Sequence, residues 1–113
     1  MQFMVRLMLK TSSGKTTYGR TIVDTSDQIS AKREAEANYS WKYPKGCKAV
    51  IAEDLKRRNV QPYRVRILWK EGSQSRWAEV VVRAYDPVSA KESAIADYAW
   101  KYPDLTASGA MKA

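Results

Sequence analysis

The sequence contains no histidine and only one cysteine, Cys47. Without histidine, the chain lacks the general base of a Ser-His-Asp triad and a principal ligand of zinc sites. A single cysteine forms no disulfide within the chain and provides no thiolate cluster for a metal. The remaining residues show no nucleophile paired with a base. We therefore predict a protein that is not an enzyme and that uses no metal or cofactor.

Long apolar runs are absent as well. The first apolar segment, close to the N-terminus, is interrupted by Arg6 and Lys10. It fits neither a signal peptide nor a membrane-spanning helix. The sequence therefore predicts no membrane contact and a cytoplasmic location.

Negative charge is scarce relative to positive charge. The 113 residues include 20 Lys and Arg but only 12 Asp and Glu, which gives a net charge of +8. The apolar fraction of 44% is typical of a folded globular domain. Such an excess of positive charge on a small domain favours an anionic partner, most often nucleic acid. A basic surface that serves only solubility is the alternative.

An internal repeat organises the chain. Residues 39–44 read Tyr-Ser-Trp-Lys-Tyr-Pro, and residues 98–103 read Tyr-Ala-Trp-Lys-Tyr-Pro, 59 positions later. From residue 30 to residue 44, ten of the fifteen positions are identical to their counterparts in the second copy. The two halves are therefore expected to fold alike.

Each half shows the pattern strand, strand, helix. Apolar residues alternate over 3–10 and again over 63–70, which predicts strands with one buried face. Glycine-containing polar turns follow, and second strands are predicted at 17–25 and 76–84. Asp27 and Asp86-Pro87 are typical helix starts, and Pro44 and Pro103 end the helices. Residues 48–52 predict a third strand or a strand-like return in the first half.

These elements predict an α+β fold. Tandem β-β-α repeats would form one antiparallel sheet of four to five strands, with both helices on one face and a pseudo-twofold axis between them. The first repeat spans residues 1–55, a basic linker spans 56–62, and the second repeat spans 63–113. The second repeat ends in a short tail that we expect to be frayed. Both repeats are expected to share one core.

The sheet face opposite the helices is expected to be open, basic and aromatic. Its predicted nucleic-acid-binding residues are Arg6, Lys10, Tyr18, Arg20, Arg64, Arg66, Lys70, Trp77 and Arg83. Cations neutralise phosphates, and aromatic rings stack on unpaired bases. The same face also carries apolar residues, namely Met4, Met8, Ile22, Leu68 and Val81. These would suit the interface of a homodimer equally well.

The repeated Trp-Lys-Tyr-Pro segments offer a second candidate. Trp41 and Lys42, with their counterparts Trp100 and Lys101, form a possible secondary nucleic-acid-binding edge. Alternatively, the aromatic residues of these segments close the core where each helix ends. The sequence does not decide between the two interpretations for Trp41 and Trp100.

In size, charge, β-rich pattern and strands that combine aromatics with cations, the chain resembles the small single-stranded-DNA-binding proteins encoded by phages. The resemblance implies a nucleic-acid-binding protein that favours single-stranded DNA with little sequence specificity. It involves no signature motif, and the β-β-α units differ from the five-stranded barrel of better-known members. The alternatives are a duplex-DNA-binding regulator and a homodimeric or adaptor protein that uses the open face as an interface.

Overall fold

The computed structural model describes residues 1–113 and contains six strands and two helices. Their bounds are β1 (Gln2–Lys10), β2 (Thr16–Asp24), α1 (Gln28–Tyr39), β3 (Cys47–Asp54), β4 (Gln61–Glu71), β5 (Gln74–Ala84), α2 (Pro87–Tyr98) and β6 (Thr106–Lys112). The order strand, strand, helix, strand thus occurs twice, and the predicted α+β class is confirmed. Neither helix is long and apolar enough to cross a lipid bilayer.

The predicted helix starts are confirmed. The Asp27 side chain accepts a hydrogen bond from the backbone N–H of Ser30 at 2.7 Å. The Asp86 side chain accepts one from the N–H of Ser89 at 2.6 Å, and the Ser89 hydroxyl accepts the N–H of Asp86 in return. Each cap satisfies a backbone donor that has no partner within the helix.

The strands form two three-stranded antiparallel sheets, with the orders β2-β1-β3 and β5-β4-β6. The single sheet of four to five strands expected from the sequence is therefore not found. The residues expected to form a frayed tail instead form β6, which pairs with β4 from Tyr63 to Leu68. Leu105, which is buried, anchors the start of this strand. The third strand of each half completes its own sheet, so neither hairpin needs to pair with the other.

One face of each central strand is buried, as the alternation of apolar residues predicted. Val5 and Leu7 of β1 are completely buried, and so is Val65 of β4. The helices cover these faces with alanine, including Ala31 in α1 and Ala90 in α2. A methyl group lets a helix axis approach a sheet closely, which suits a thin two-layer molecule.

Helix α2 packs against the second sheet and also against β2 of the first sheet. Gly19 in β2 makes this second contact possible, because a Cβ atom at this position would lie 2.6 Å from the Cβ of Ala96. Ala96 of α2 and Ala99, which follows the helix as its C-cap, belong to the buried cluster of the first sheet, and Ile95 packs against the clusters of both sheets. Helix α2 thus joins the two halves.

Helix α1 makes no comparable contact with β5, so the expected pseudo-twofold arrangement with two equivalent helices is not found. Ala78 occupies the position in β5 that Gly19 occupies in β2. Its methyl group would prevent the same close approach by a helix. Trp69, the counterpart of Leu9, is stacked on Tyr102 with ring centroids 4.3 Å apart. In the second sheet, the stacked pair Trp69 and Tyr102 therefore lies at the position that corresponds to the α2 contact of the first sheet.

Candidate functional site

The outer face of each sheet, opposite the helices, was expected to be open. In the first sheet, part of this face is covered, and Met4 is only 2% exposed. Tyr85, which precedes α2, donates a hydrogen bond from its hydroxyl to Glu53 at 2.7 Å and accepts one from Arg20 at 2.8 Å. The guanidinium of Arg58 lies 4.5 Å from the centre of the Tyr85 ring. The expectation of an open surface is therefore wrong for this end of the first sheet.

Two of the predicted binding residues, Arg6 and Arg20, are held by Glu92 of α2. The Nε atom of each arginine donates to Glu92 Oε1 at 2.9 Å, and Arg6 Nη2 donates to Oε2 at 3.2 Å. Burial acts to lower the pKa of Arg20, but Glu92 and Tyr85 together outweigh this effect and the pKa is raised. Arg20 is only 18% exposed in its side chain. Its charge is therefore committed to joining α2 with the first sheet, whereas Arg6 remains partly accessible.

Replacing Glu92 with Gln should lower the free energy of unfolding by about 2 kcal/mol, because three charge-assisted hydrogen bonds from two arginines are weakened at a partly buried site. The matched control is Glu71→Gln, since Glu71 lies 3.6 Å from Arg76 in an exposed pair. That change should alter stability by less than about 0.5 kcal/mol. Urea unfolding of both variants measures the difference. Equal effects would show that the Glu92 pairs do not join the two halves.

The remainder of the first outer face is exposed and basic. Tyr18 is 38% exposed, and the guanidinium of Arg6 lies 4.2 Å from the centre of its ring. Beside it, Lys10, Lys45 and Lys48 line a cavity of about 260 Å³ that contains no carboxylate. None of these three lysines is in an ion pair.

The one thiol at this cavity does not offset its charge. Burial raises the pKa of Cys47 to about 11, and the charge of Glu36 contributes to the rise. At neutral pH the thiol is therefore uncharged. The cavity beside Tyr18 thus presents ammonium groups without a negative group to balance them.

The outer face of the second sheet repeats this arrangement and is more open. Trp77 is 60% exposed, and the guanidinium of Arg66 lies 4.6 Å from the centre of its ring. Arg64 and Arg66 lie 3.6 and 3.8 Å from Glu79, as exposed and loosely held pairs. A groove of about 510 Å³ runs between these side chains and Met111 of β6. The predicted residues Lys70 and Arg83 are exposed and make no ion pair.

No protein-family model, curated protein or solved structure matches this chain. Its site is therefore interpreted from its own geometry. Each sheet presents one exposed aromatic ring with an arginine against it, at corresponding positions of the two halves. Cations and accessible rings in this combination suit phosphates and planar bases.

Several residues of these surfaces were missed from the sequence. Lys45 and Lys48 join the lysine-lined cavity, and Gly109 and Met111 line the groove of the second sheet. Lys45 lies in the turn before β3, whereas Gly109 and Met111 follow the register shift in β6, which changes the face on which a residue lies. Alternation alone therefore gave no signal for these residues.

The possible secondary residues lie where the two helices end. We call Trp41, Lys42 and Trp100 the tryptophan cluster. The two indole ring centroids are 6.2 Å apart with planes tilted by 49°. Lys42 Nζ lies 5.4 Å from the centre of the Trp41 ring and 5.6 Å from that of Trp100. The structure thus brings Trp41 and Lys42 of the first repeated segment together with Trp100 of the second. Lys101 contacts the ring of Tyr102 instead, at 5.4 Å.

Asp97 of α2 lies beside this cluster and accepts a hydrogen bond from the Tyr39 hydroxyl at 2.8 Å. Burial raises the pKa of Asp97 above its usual value of 3.8, although the Tyr39 hydrogen bond and the charge of Lys42 oppose the rise. The folded state therefore binds a proton more tightly than the unfolded state does. The contribution of Asp97 to the free energy of unfolding is fully present below pH 3.8. It is lost as the pH rises through the raised pKa of Asp97.

The Asp97→Asn variant should not lose stability in this way as the pH rises, because its amide oxygen still accepts a hydrogen bond from Tyr39 but carries no charge. We expect the stability of the variant relative to the native protein to increase between about pH 3 and about pH 7. Urea unfolding at several pH values measures this difference. A difference that stays constant over the range would contradict the raised pKa.

Proposed function

We propose that this protein is a non-enzymatic nucleic-acid-binding protein that favours single-stranded DNA and has little sequence specificity. The observation that carries the proposal is the repeated pairing of an exposed ring with an arginine, Tyr18 with Arg6 and Trp77 with Arg66. Each pair lies on an outer sheet face that also carries unpaired lysines or arginines. The proposed function agrees with the resemblance to phage single-stranded-DNA-binding proteins.

In the proposed mechanism, cationic side chains bind the phosphates and aromatic rings stack on the bases. The exposed cations Lys10, Lys70 and Arg83 neutralise phosphates and release the counterions condensed on the strand. Tyr18 and Trp77 each have one ring face against an arginine and accept a base through the rest of the exposed ring. The contact with arginine also restricts rotation of the aromatic side chain, so that less conformational entropy is lost when a base stacks on it.

Single-strand preference follows from the need for free base faces. In a duplex the faces of the bases are stacked on one another, and only their edges are exposed in the grooves. An aromatic ring lying on a sheet reaches a base face only when the strand is unpaired. Because every base has such a face, stacking of this kind discriminates weakly among sequences.

A second candidate function is favoured by the apolar residues of the second outer face. Val81 and Met111 are largely exposed on either side of Arg64, as expected for an interface in a homodimer or with a protein partner. Such an interface would use the same face as the proposed strand. Oligomer formation and DNA binding would then compete.

The test compares a single-stranded and a duplex oligonucleotide of equal length at two salt concentrations, with sedimentation of the free protein in parallel. We expect tighter binding of the single strand and an affinity that falls steeply with salt. A preference for one duplex sequence would favour a regulator that binds duplex DNA. A salt-insensitive oligomer without DNA affinity would favour the interface.

A further inference from the structure

The tryptophan cluster leaves a large aromatic surface in solvent. The Trp41 side chain is 69% exposed, the highest value of any aromatic residue in the chain. The stretch of chain that contains it is otherwise well packed, since Tyr39 is buried and Tyr43 is almost completely so. The core is therefore closed by the tyrosines of the repeated segment, and the fold does not require an indole at residue 41.

The cluster is held in place by hydrogen bonds and ring contacts. The Trp100 indole Nε1 donates to the carbonyl of Asp97 at 2.7 Å, and the Trp100 backbone N–H donates to the Tyr43 hydroxyl at 3.1 Å. Tyr43 in turn donates to the carbonyl of Ala96 at 2.7 Å. The indole of Trp100 is therefore fixed, and Trp41 packs against it. A ligand thus binds to rings that are already ordered.

The charge at the cluster selects among planar ligands. Lys42 Nζ lies 5.2 Å from the centre of the Tyr39 ring as well as beside both indoles, so an ammonium group is fixed at the aromatic surface. The carboxylate of Asp97, on which the charge of Lys42 acts, is partly buried and already accepts a hydrogen bond from Tyr39. An aromatic surface with a fixed cation on a chain of net charge +8 suits a planar group attached to an anion.

We infer that the tryptophan cluster is a second stacking site, which takes an unpaired base on Trp41 and the adjoining phosphate on Lys42. This inference rests on the proposed function, because it assigns a further contact to the same single strand. The cluster lies at the C-terminal ends of the helices, whereas the outer sheet faces lie on the opposite side of each sheet. A strand that contacts both must pass around the protein, so only a long oligonucleotide engages both sites at once, and a short one binds mainly at the more basic outer faces.

The length of the oligonucleotide therefore separates the two sites. Affinity is measured by fluorescence anisotropy with labelled oligo-dT of about 6 and about 30 nucleotides, which bracket common site sizes. We expect Trp41→Ala to weaken binding of the long oligonucleotide by about 5- to 150-fold and to leave binding of the short one unchanged. The matched control is Ile29→Ala, because Ile29 is equally exposed on α1. That variant should bind both oligonucleotides as the native protein does.

A Lys42→Gln variant tests the phosphate contact, and it should reduce the salt slope for the long oligonucleotide by about 1. Unchanged binding of the long oligonucleotide by Trp41→Ala would overturn the second site while leaving the proposed function standing. Absence of binding by the native protein would overturn both. Displacement of the labelled strand by poly-glutamate from native protein but not from Trp41→Ala would identify an acidic peptide as the ligand instead.

Discussion

Substitution of Gly19 by alanine should lower the free energy of unfolding by about 2–3 kcal/mol, because it overpacks the contact between the two halves. The added methyl carbon would lie 2.6 Å from the Cβ of Ala96, and 2.9 Å from both the Cα of Ala96 and Cδ1 of Leu9. A backbone atom of α2 is among these neighbours, so a rotamer change does not relieve the clash. The helix must move away from β2 or the strand must bend.

The matched control is Gly109→Ala. Gly109 is also a strand glycine, and a Cβ atom built on it has no atom within 4 Å. This substitution should change stability by less than about 0.5 kcal/mol. Urea unfolding followed by far-UV circular dichroism measures both variants. Equal stability of the two variants would contradict the close packing of α2 on β2.

The double variant Tyr18→Ala/Trp77→Ala should bind oligo-dT at least about 30-fold more weakly than the native protein. Each ring is expected to contribute about 1–3 kcal/mol of stacking free energy, and the two effects should add because the residues share no partner. Both side chains are exposed on outer faces, so the loss should not reflect unfolding.

Val88→Ala is the control for this variant, since Val88 is exposed on α2 and lies outside the proposed path. It should bind oligo-dT with native affinity. The affinities come from anisotropy titrations at low salt. Retention of native affinity by the double variant would exclude stacking on Tyr18 and Trp77.

The local elements could be predicted because their signals are local. The period of two in β1 and β4 and the caps Asp27 and Asp86 each depend on a few neighbouring residues. The strand β6 could not be predicted in the same way. Its residues are small and weakly apolar, and it is a strand because β4 offers a row of backbone donors and acceptors.

The relation between the two halves depends on single side chains far apart in the sequence. Gly19 admits Ala96, whereas the corresponding position of the other half is Ala78 and no helix packs on β5 in the equivalent way. The two halves thus pack asymmetrically, although residues 30–44 match their counterparts at ten of fifteen positions. No pattern within either half shows this difference.

The candidate site was only partly accessible to sequence reasoning. Exposure of Tyr18 and Trp77 followed from alternation along their strands, and the structure places both at the surface. The pairing of Arg6 and Arg20 with Glu92 did not follow from such a pattern, because 86 residues separate Arg6 from Glu92. A count of cations along a strand overstates the charge available to a ligand when a carboxylate that is distant in sequence lies next to those cations in the fold.

The most direct test of the proposed function is titration of the native protein and of Trp77→Phe with oligo-dT at low salt, followed by tryptophan fluorescence. Stacking of a base on an indole quenches its emission. We predict strong quenching of the native protein, a clearly smaller change for Trp77→Phe, and reversal of both by added salt. Native fluorescence that remains unchanged at saturating oligo-dT would contradict the proposal that this protein binds single-stranded DNA through its outer sheet faces.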